Sequence, residues 1–457
     1  MSGRNKLTWV TLLLSSLLLG ASSLNVLAQP SAPTALLERG RFIATAADCA
    51  ACHRGQASDY SGGSIIVTPM GNIVATNITP SKRYGLGRYT EQQFKKALTQ
   101  GIRADGNYLY PAMPYTAYQG MSDEDIHALW LWLTTDVAAV DKPTATTDLA
   151  FPWSLRFLMH FWNYLNAPTI PPFVALTTPA LKEGYSLTEV LGHCSACHSP
   201  RNILMGEKMS ERYSGGDQNG WHAPNITSDK ISGIGGWRDD ELYRYLKTGN
   251  VPGKGVAAGG MGEAVEHSLR YLTDQQLNAI IGWLRQIPPV RDPKDTAPAW
   301  SYPKDNPDKV NIAGERLYLE SCATCHQASG QGAYNNRFPS LTHNTTVGSR
   351  SPANLIMVIL QGVHRQGQFV STQMPAFGSS LNDQQIADLA NYVIGKFGNG
   401  QTQVEAKQVA LLRAGGQPPL LITLLHWAPW LLLALILVLG SLFYLKKRKP
   451  SGNKEIK

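Results

Sequence analysis

Six cysteines occur in this chain, and they fall into three pairs of identical spacing, each followed at once by a histidine. The runs are Cys49-Ala-Ala-Cys52-His53, Cys194-Ser-Ala-Cys197-His198 and Cys322-Ala-Thr-Cys325-His326, and no cysteine is left over. Two thiols three residues apart lie on one side of a helical turn. There they can form thioethers to the two vinyl groups of one porphyrin, and the adjacent histidine can reach its iron as proximal ligand. Cys-x-x-Cys-His is the attachment signature of a c-type haem. The same residue types also permit a zinc ribbon or a thioredoxin-like redox pair. Threefold repetition behind a secretory start argues against both. A porphyrin fills much of a small helical core, so three motifs predict three domains built around three covalently bound haem c groups.

The two ends read differently from the body. Residues 1–28 carry Arg4 and Lys6, an apolar stretch from Leu7 to Leu19, and Val26-Leu27-Ala28, the pattern of a signal peptide cleaved before Gln29. From Leu420 to Leu445 the sequence is nearly all apolar and stops at Lys446-Lys447-Arg448-Lys449. That predicts a transmembrane helix with its basic end in the cytoplasm and the haem domains on the periplasmic side of the inner membrane. The formal net charge is +8, of which the signal peptide carries +2 and residues 446–457 carry +5, leaving +1 for the exported body. The basic balance therefore reports topology, and no nucleic-acid partner is expected.

Between the ends the chain repeats with a period of about 100 residues. Gly40-Arg-Phe-Ile, Gly184-Tyr-Ser-Leu and Gly314-Glu-Arg-Leu approach the three haem motifs as helices. Asn77-Ile78-Thr79 aligns with Asn225-Ile226-Thr227, Phe94 with Leu242 and Gly101 with Gly249. The third unit joins at Leu355 and Gly362. Each unit closes on an amphipathic helix with an N-cap signal, beginning at Ser122, Thr273 and Asn382. The expected order is signal peptide 1–28, first haem domain 29–140, linker 141–179, second domain 180–287 and a proline-rich linker 288–307. A third domain 308–400, juxtamembrane segment 401–419, transmembrane helix 420–445 and basic tail 446–457 follow. The fold class is thus all-α: three tandem cytochrome c domains plus one C-terminal transmembrane helix. The first linker holds an aromatic segment, Leu155 to Leu165, that reads as a short helix lying on a partner, on a bilayer surface, or as a staple between domains.

A haem used for electron transfer needs a second strong ligand, and the repeat supplies candidates. Twelve residues beyond Gly101, Gly249 and Gly362 stand Met113, Met261 and Met374. Met113 and Met374 precede a proline. Met261 sits in Gly259-Gly260-Met261-Gly262 without one, and Met205 and Met209 are the weaker substitutes there. Thioether ligation raises the potential of a haem relative to a second histidine. Tyr, Trp and Arg side chains near the Asn-Ile-Thr segments are placed either against the haem propionates or in ordinary packing. His160, His222, His267, His343 and His364 have no repeat counterpart and read as surface or core residues. His426 reads as interfacial, within reach of a quinone headgroup.

No phosphate loop, dinucleotide fingerprint or nucleophile elbow is present, so no catalytic residue is assigned. With Thr76-Asn-Ile-Thr79, Leu109-Tyr-Pro-Ala-Met-Pro-Tyr115 and Ser122-Asp-Glu-Asp-Ile126 beside the three haem motifs, residues 35–400 resemble a known family. It is the triheme cytochrome c subunits of membrane-bound bacterial dehydrogenases for alcohols, aldehydes and sugar acids. The resemblance implies a catalytic partner subunit of flavin, pyrroloquinoline quinone or molybdenum type, a small third subunit, and ubiquinone as acceptor. It also implies His53, His198 and His326 as proximal ligands with Met113, Met261 and Met374 opposite. The rival expectations are an autonomous haem enzyme, a peroxidase or reductase, and a cytochrome feeding a terminal oxidase.

Overall fold

The computed structural model describes residues 32–167, 172–302, 311–333, 337–366 and 372–448. The expected signal peptide, residues 303–307 of the proline-rich linker and residues 449–457 of the basic tail lie outside the described residues.

A glycine at a helix crossing organises each of three similar units. The opening helix Ala32–Ala46 packs across the closing helix Asp123–Thr135. Pro179–Tyr185, continued by a wide π turn Ser186–Leu191, packs across Asp274–Leu284. Ile312–Ser321 packs across Asp383–Phe397. A Cβ on Gly40, Gly184 or Gly314 would lie 2.1, 2.2 or 2.1 Å from the carbonyl oxygen of Ala128, Ala279 or Asp388. The two backbones touch at a point where only glycine fits. Ser122 caps its helix by accepting from the Asp125 N–H, while Thr273 and Asn382 each make a reciprocal capping box with Gln276 and Gln385. Ile126, Leu129 and Leu133 line the buried face of the first closing helix. Side chains of this kind contribute roughly 1.5–3 kcal/mol each when fully buried.

A middle helix completes each unit: Glu91–Gln100, Asp239–Thr248 and Ala353–Gln361. They stop at Gly101, Gly249 and Gly362, whose φ angles of +66°, +67° and +72° are left-handed. That conformation is the usual reason for a glycine just past a helix. The matched glycines are therefore chain-reversal points, from which the segments leading to the three methionines depart.

The apolar core of the first two units is continuous, running from Ile43 and Phe94 through Tyr118 and Leu187 to Leu277 and Ile287. The third unit has its own core around Tyr318, Ile356, Tyr392 and Phe397. The second unit also buries a polar cluster. Arg212 Nη2 lies 2.6 Å from Glu189 Oε2, and Trp283 Nε1 donates to Glu189 Oε1 at 2.9 Å. The Trp bond and the guanidinium compensate a carboxylate that burial alone would penalise.

The expected all-α class with a C-terminal transmembrane helix is corrected in two respects. First, helix takes about 47 % of the described residues and short strands occupy every unit. Ile65–Thr68 pairs with Gly71–Val74, which pairs in turn with Asp148–Leu149 from the linker. Gly216–Gln218 pairs with Trp221–Ala223, Asn250–Val251 with Gly255–Val256, and Val363–Arg365 with Thr372–Met374. The physical causes are local. Ile65-Ile-Val-Thr68 is a β-branched run. Asn219-Gly220, with φ of +48° and +86°, is a two-residue hairpin turn of the type that suits the strand twist. Second, among the described residues no helix is long and apolar enough to cross a membrane. The C-terminal segment is one helix, Leu420–Arg448.

The Asn-Ile-Thr repeats have a structural role that the sequence left open. Asn77 Oδ1 accepts from the Thr79 N–H at 2.9 Å and from its hydroxyl at 2.7 Å, while Asn77 Nδ2 donates to Val140 O at 2.8 Å. Val140 N–H donates back to Thr79 Oγ1 at 3.1 Å. Asn225, Thr227 and Val290 repeat the arrangement at 2.8, 2.7, 2.7 and 3.1 Å. Each Asn thereby locks the chain leaving the closing helix onto the segment that follows the haem motif.

Two outcomes are expected. Gly314→Ala should cost about 1–3 kcal/mol by overpacking the crossing, seen as a lowered denaturation midpoint of the third unit. Asn77→Ala should cost about 2–3 kcal/mol, because it strands the buried Thr79 N–H as well as losing the Val140 bond.

Candidate haem-attachment sites

Each Cys-x-x-Cys-His run forms one short helical turn directly after its unit's opening helix. The turns are Cys49–His53, Ser195–His198 with Cys194 just before it, and Ala323–His326 with Cys322 just before it. In all three the histidine Nδ1 meets a main-chain carbonyl: Thr76 O at 2.7 Å, Pro224 O at 2.7 Å and Pro339 O at 2.9 Å. A carbonyl only accepts, so Nδ1 carries the proton and Nε2 is the nitrogen left to bind a metal. Burial lowers the pKa of all three rings, outweighing the carbonyl bond that would raise it. The imidazoles are therefore held neutral and oriented, the state a metal-binding histidine needs. A glycine loop completes each turn. Gly62, Gly215 and Gly332 donate their N–H groups to the carbonyls of His53, His198 and His326 at 2.7, 2.8 and 3.0 Å.

No cysteine pairs with another. Burial pushes the thiols of Cys49 and Cys194 up to about 12, and those of Cys52 and Cys322 up to about 11. A thioredoxin-like pair needs the opposite shift. Among the described residues no three His, Cys, Asp or Glu side chains converge as a metal-holding group, so the zinc-ribbon reading finds no support. A donor set of one neutral imidazole and two unpaired, protonated thiols on a single turn fits covalent haem.

The three methionines share a sequence interval but stand on three different backbones. Met113 lies in a turn: its N–H donates to Tyr110 O at 3.1 Å and its carbonyl accepts from the Tyr115 N–H at 2.8 Å. Met261 sits in the first turn of the helix Gly259–His267. Met374 is on a strand, opposite Val363. All three are half-buried, and Met113 and Met261 pack, with Cys49 and Cys194, against the core shared by the first two units.

The first and second attachment turns are close neighbours. The thiols of Cys52 and Cys197 lie near enough to influence one another, and the helix carrying Met261 packs on the turn Cys49–His53. Arg54 Nη1 and Nη2 each lie 3.3 Å from a ring nitrogen of His267. Ser268 Oγ donates to Ala46 O at 3.2 Å, and the Tyr118 and His193 rings meet edge-on with centroids 5.8 Å apart. Asp48 is enclosed at this junction, and burial, reinforced by the charge of Glu263, raises its carboxyl to about 7. The second and third units meet through polar contacts and through Trp221, which packs on the core of the third. Asn354 bonds the His222 main chain at 2.9 and 2.8 Å, and Thr345 N–H donates to Lys254 O at 2.7 Å. Lys254 Nζ stands 3.1 Å from the Trp300 ring centroid. His160, whose Nδ1 lies 2.8 Å from Tyr108 Oη, and His267, which carry no repeat signal in the sequence, thus join distant segments through their rings, whereas His222 does so through its main chain and its ring bonds the nearby Asp217. Nothing in a one-dimensional repeat points to such roles.

Residues 37–135 and 312–394 match the Cytochrome c family. The fructose dehydrogenase cytochrome subunit of Gluconobacter japonicus is 41 % identical, with 93 % of this chain and 95 % of the relative covered. The gluconate 2-dehydrogenase cytochrome c subunit of Pantoea cypripedii is 37 % identical over 87 % of this chain and 94 % of its own length. The alcohol dehydrogenase (quinone) cytochrome c subunit of Gluconacetobacter polyoxogenes is 35 % identical over 85 % and 86 %. With haem-ready histidines held alike in every unit and relatives aligned almost end to end, the chain belongs to the family of cytochrome c subunits of dehydrogenases, proteins of electron transfer.

Proposed function

We propose that the chain is a triheme electron relay, taking electrons from a catalytic dehydrogenase subunit outside the cytoplasm and delivering them to ubiquinone at the cell membrane. One observation carries the number three: the same Nδ1-to-carbonyl bond recurs at His53, His198 and His326, although only the first and third units match the Cytochrome c family over most of their length. When bound, each haem supplies a one-electron couple at its iron. Cys49 and Cys52, Cys194 and Cys197, and Cys322 and Cys325 would anchor it covalently. His53, His198 and His326, through Nε2, and Met113, Met261 and Met374, through sulfur, would hold the iron, a ligand set that favours a high potential.

The chain itself contributes orientation, spacing and exclusion of water. Closeness of the Cys52 and Cys197 turns supports direct exchange between the first two sites. A catalytic partner is in keeping with the fructose, gluconate and alcohol dehydrogenase relatives, each a cytochrome subunit of a dehydrogenase; its redox group is of flavin, pyrroloquinoline quinone or molybdenum type, and a small third subunit completes the complex. The word quinone in the names of the alcohol dehydrogenase relatives supports ubiquinone as acceptor.

Mass spectrometry of the purified chain is expected to show three covalent haems; fewer would overturn the relay. Met113→Ala and Met374→Ala should each make about one third of the reduced haem reactive with carbon monoxide, whereas the wild type stays inert. Rapid carbon monoxide binding by the wild type would favour an autonomous haem enzyme instead. Co-purification from membranes should bring down a dehydrogenase, whose own cofactor identifies the type.

A further inference from the structure

The linker between the first two units contains a helix, Leu158–Asn166, that buries none of its residues. Its outer face shows Phe161, Tyr164 and Leu165 at 59 %, 87 % and 60 % exposure. Its inward contacts are directional hydrogen bonds. This is the reverse of a helix held down by an apolar stripe, so what fixes it is what it bonds.

On one side it holds the segment carrying Met113. Tyr115 Oη donates to Asn163 Oδ1 at 2.7 Å, and the N–H of the same tyrosine is bonded to the Met113 carbonyl at 2.8 Å. The Tyr115 ring is buried beneath the left-handed Gly101, where a Cβ would meet its ring atoms at 2.7 Å. Tyr108 Oη lies 2.8 Å from His160 Nδ1, Arg156 donates to Tyr108 O at 2.8 Å, and Tyr110 Oη donates to Trp153 O at 3.0 Å. On the other side the helix holds the loop that follows His198. Trp162 Nε1 donates to Leu204 O at 2.7 Å and Asn202 Nδ2 donates to Asn166 Oδ1 at 2.9 Å.

We propose that this linker helix is a positioning element: Asn163, through Tyr115, holds Met113 in its iron-binding arrangement, and Trp162 and Asn166 fasten the same helix to the segment beyond His198. The inference rests on the reading of Met113 as an iron ligand. A thioether on a turn with no regular structure gains freedom whenever its neighbours let go, and a weak axial ligand is then lost for part of the time. The Tyr115–Asn163 bond removes that freedom without touching the iron. The contacts to residues 202–204 make the placement of the first site depend on the second unit.

The test uses the full holo chain. Tyr115→Phe keeps the buried ring and deletes only the hydroxyl; Asn163→Ala deletes the acceptor; Asn163→Asp restores it. Haem content and helical circular dichroism report folding, and the iron–methionine charge-transfer band of the oxidised protein reports the bond. With haem content unchanged, Tyr115→Phe and Asn163→Ala should weaken that band at one site and raise the carbon monoxide-reactive fraction roughly fivefold, the worth of one hydrogen bond. Asn163→Asp should return both to wild-type values. Wild-type behaviour of Tyr115→Phe and Asn163→Ala, alongside a Met113→Ala variant that opens its iron, would overturn the positioning role alone. A Met113→Ala variant that leaves carbon monoxide binding unchanged would sink the ligand assignment and this proposal with it.

Discussion

The bond between a histidine Nδ1 and a main-chain carbonyl is the constraint on which the rest of each unit turns. It fixes the tautomer and aims the ring, while burial keeps the imidazole neutral. The carbonyl must therefore be delivered to one place, by a segment more than ten residues downstream. In the first two units that delivery is made by the residue just before the locked asparagine, Thr76 before Asn77 and Pro224 before Asn225. The asparagine lock to Val140 and Val290 then ties the carbonyl's position to the end of the closing helix. The glycine crossing sets where that helix lies. Orientation of one ring is thus inherited from the packing of two helices.

How much of this was legible in the sequence depends on the range of the interaction. The attachment turns, the three crossing glycines and the caps at Ser122, Thr273 and Asn382 are local patterns repeated in register, and each lies where the periodicity puts it. The hairpin at Asn219-Gly220 was also written in local code, a two-residue turn signal that the helical repeat overshadowed. The roles of His222 and His267 were not legible, since they bond residues more than a hundred positions away. The twelve-residue interval to the methionines is uniform, yet it ends on a turn, a helix and a strand. Sequence spacing fixes a reach along the chain, while the backbone that uses the reach is chosen by tertiary contacts.

The apolar C-terminal segment shows the same limit from another side. Its composition alone suggested a bilayer span, whereas among the described residues no helix meets the length and hydropathy such a span requires. The described residues place exposed Leu435, Leu437, Leu439 and Phe443 on it.

The first and second units share one unbroken apolar interior, and the third keeps a separate one, joined by polar contacts and by Trp221 of the second unit, which packs on it. Three repeats in sequence are therefore two apolar interiors in the fold. A truncation in the second, proline-rich linker would follow the grain of the molecule, and one in the first linker would cut through a common interior.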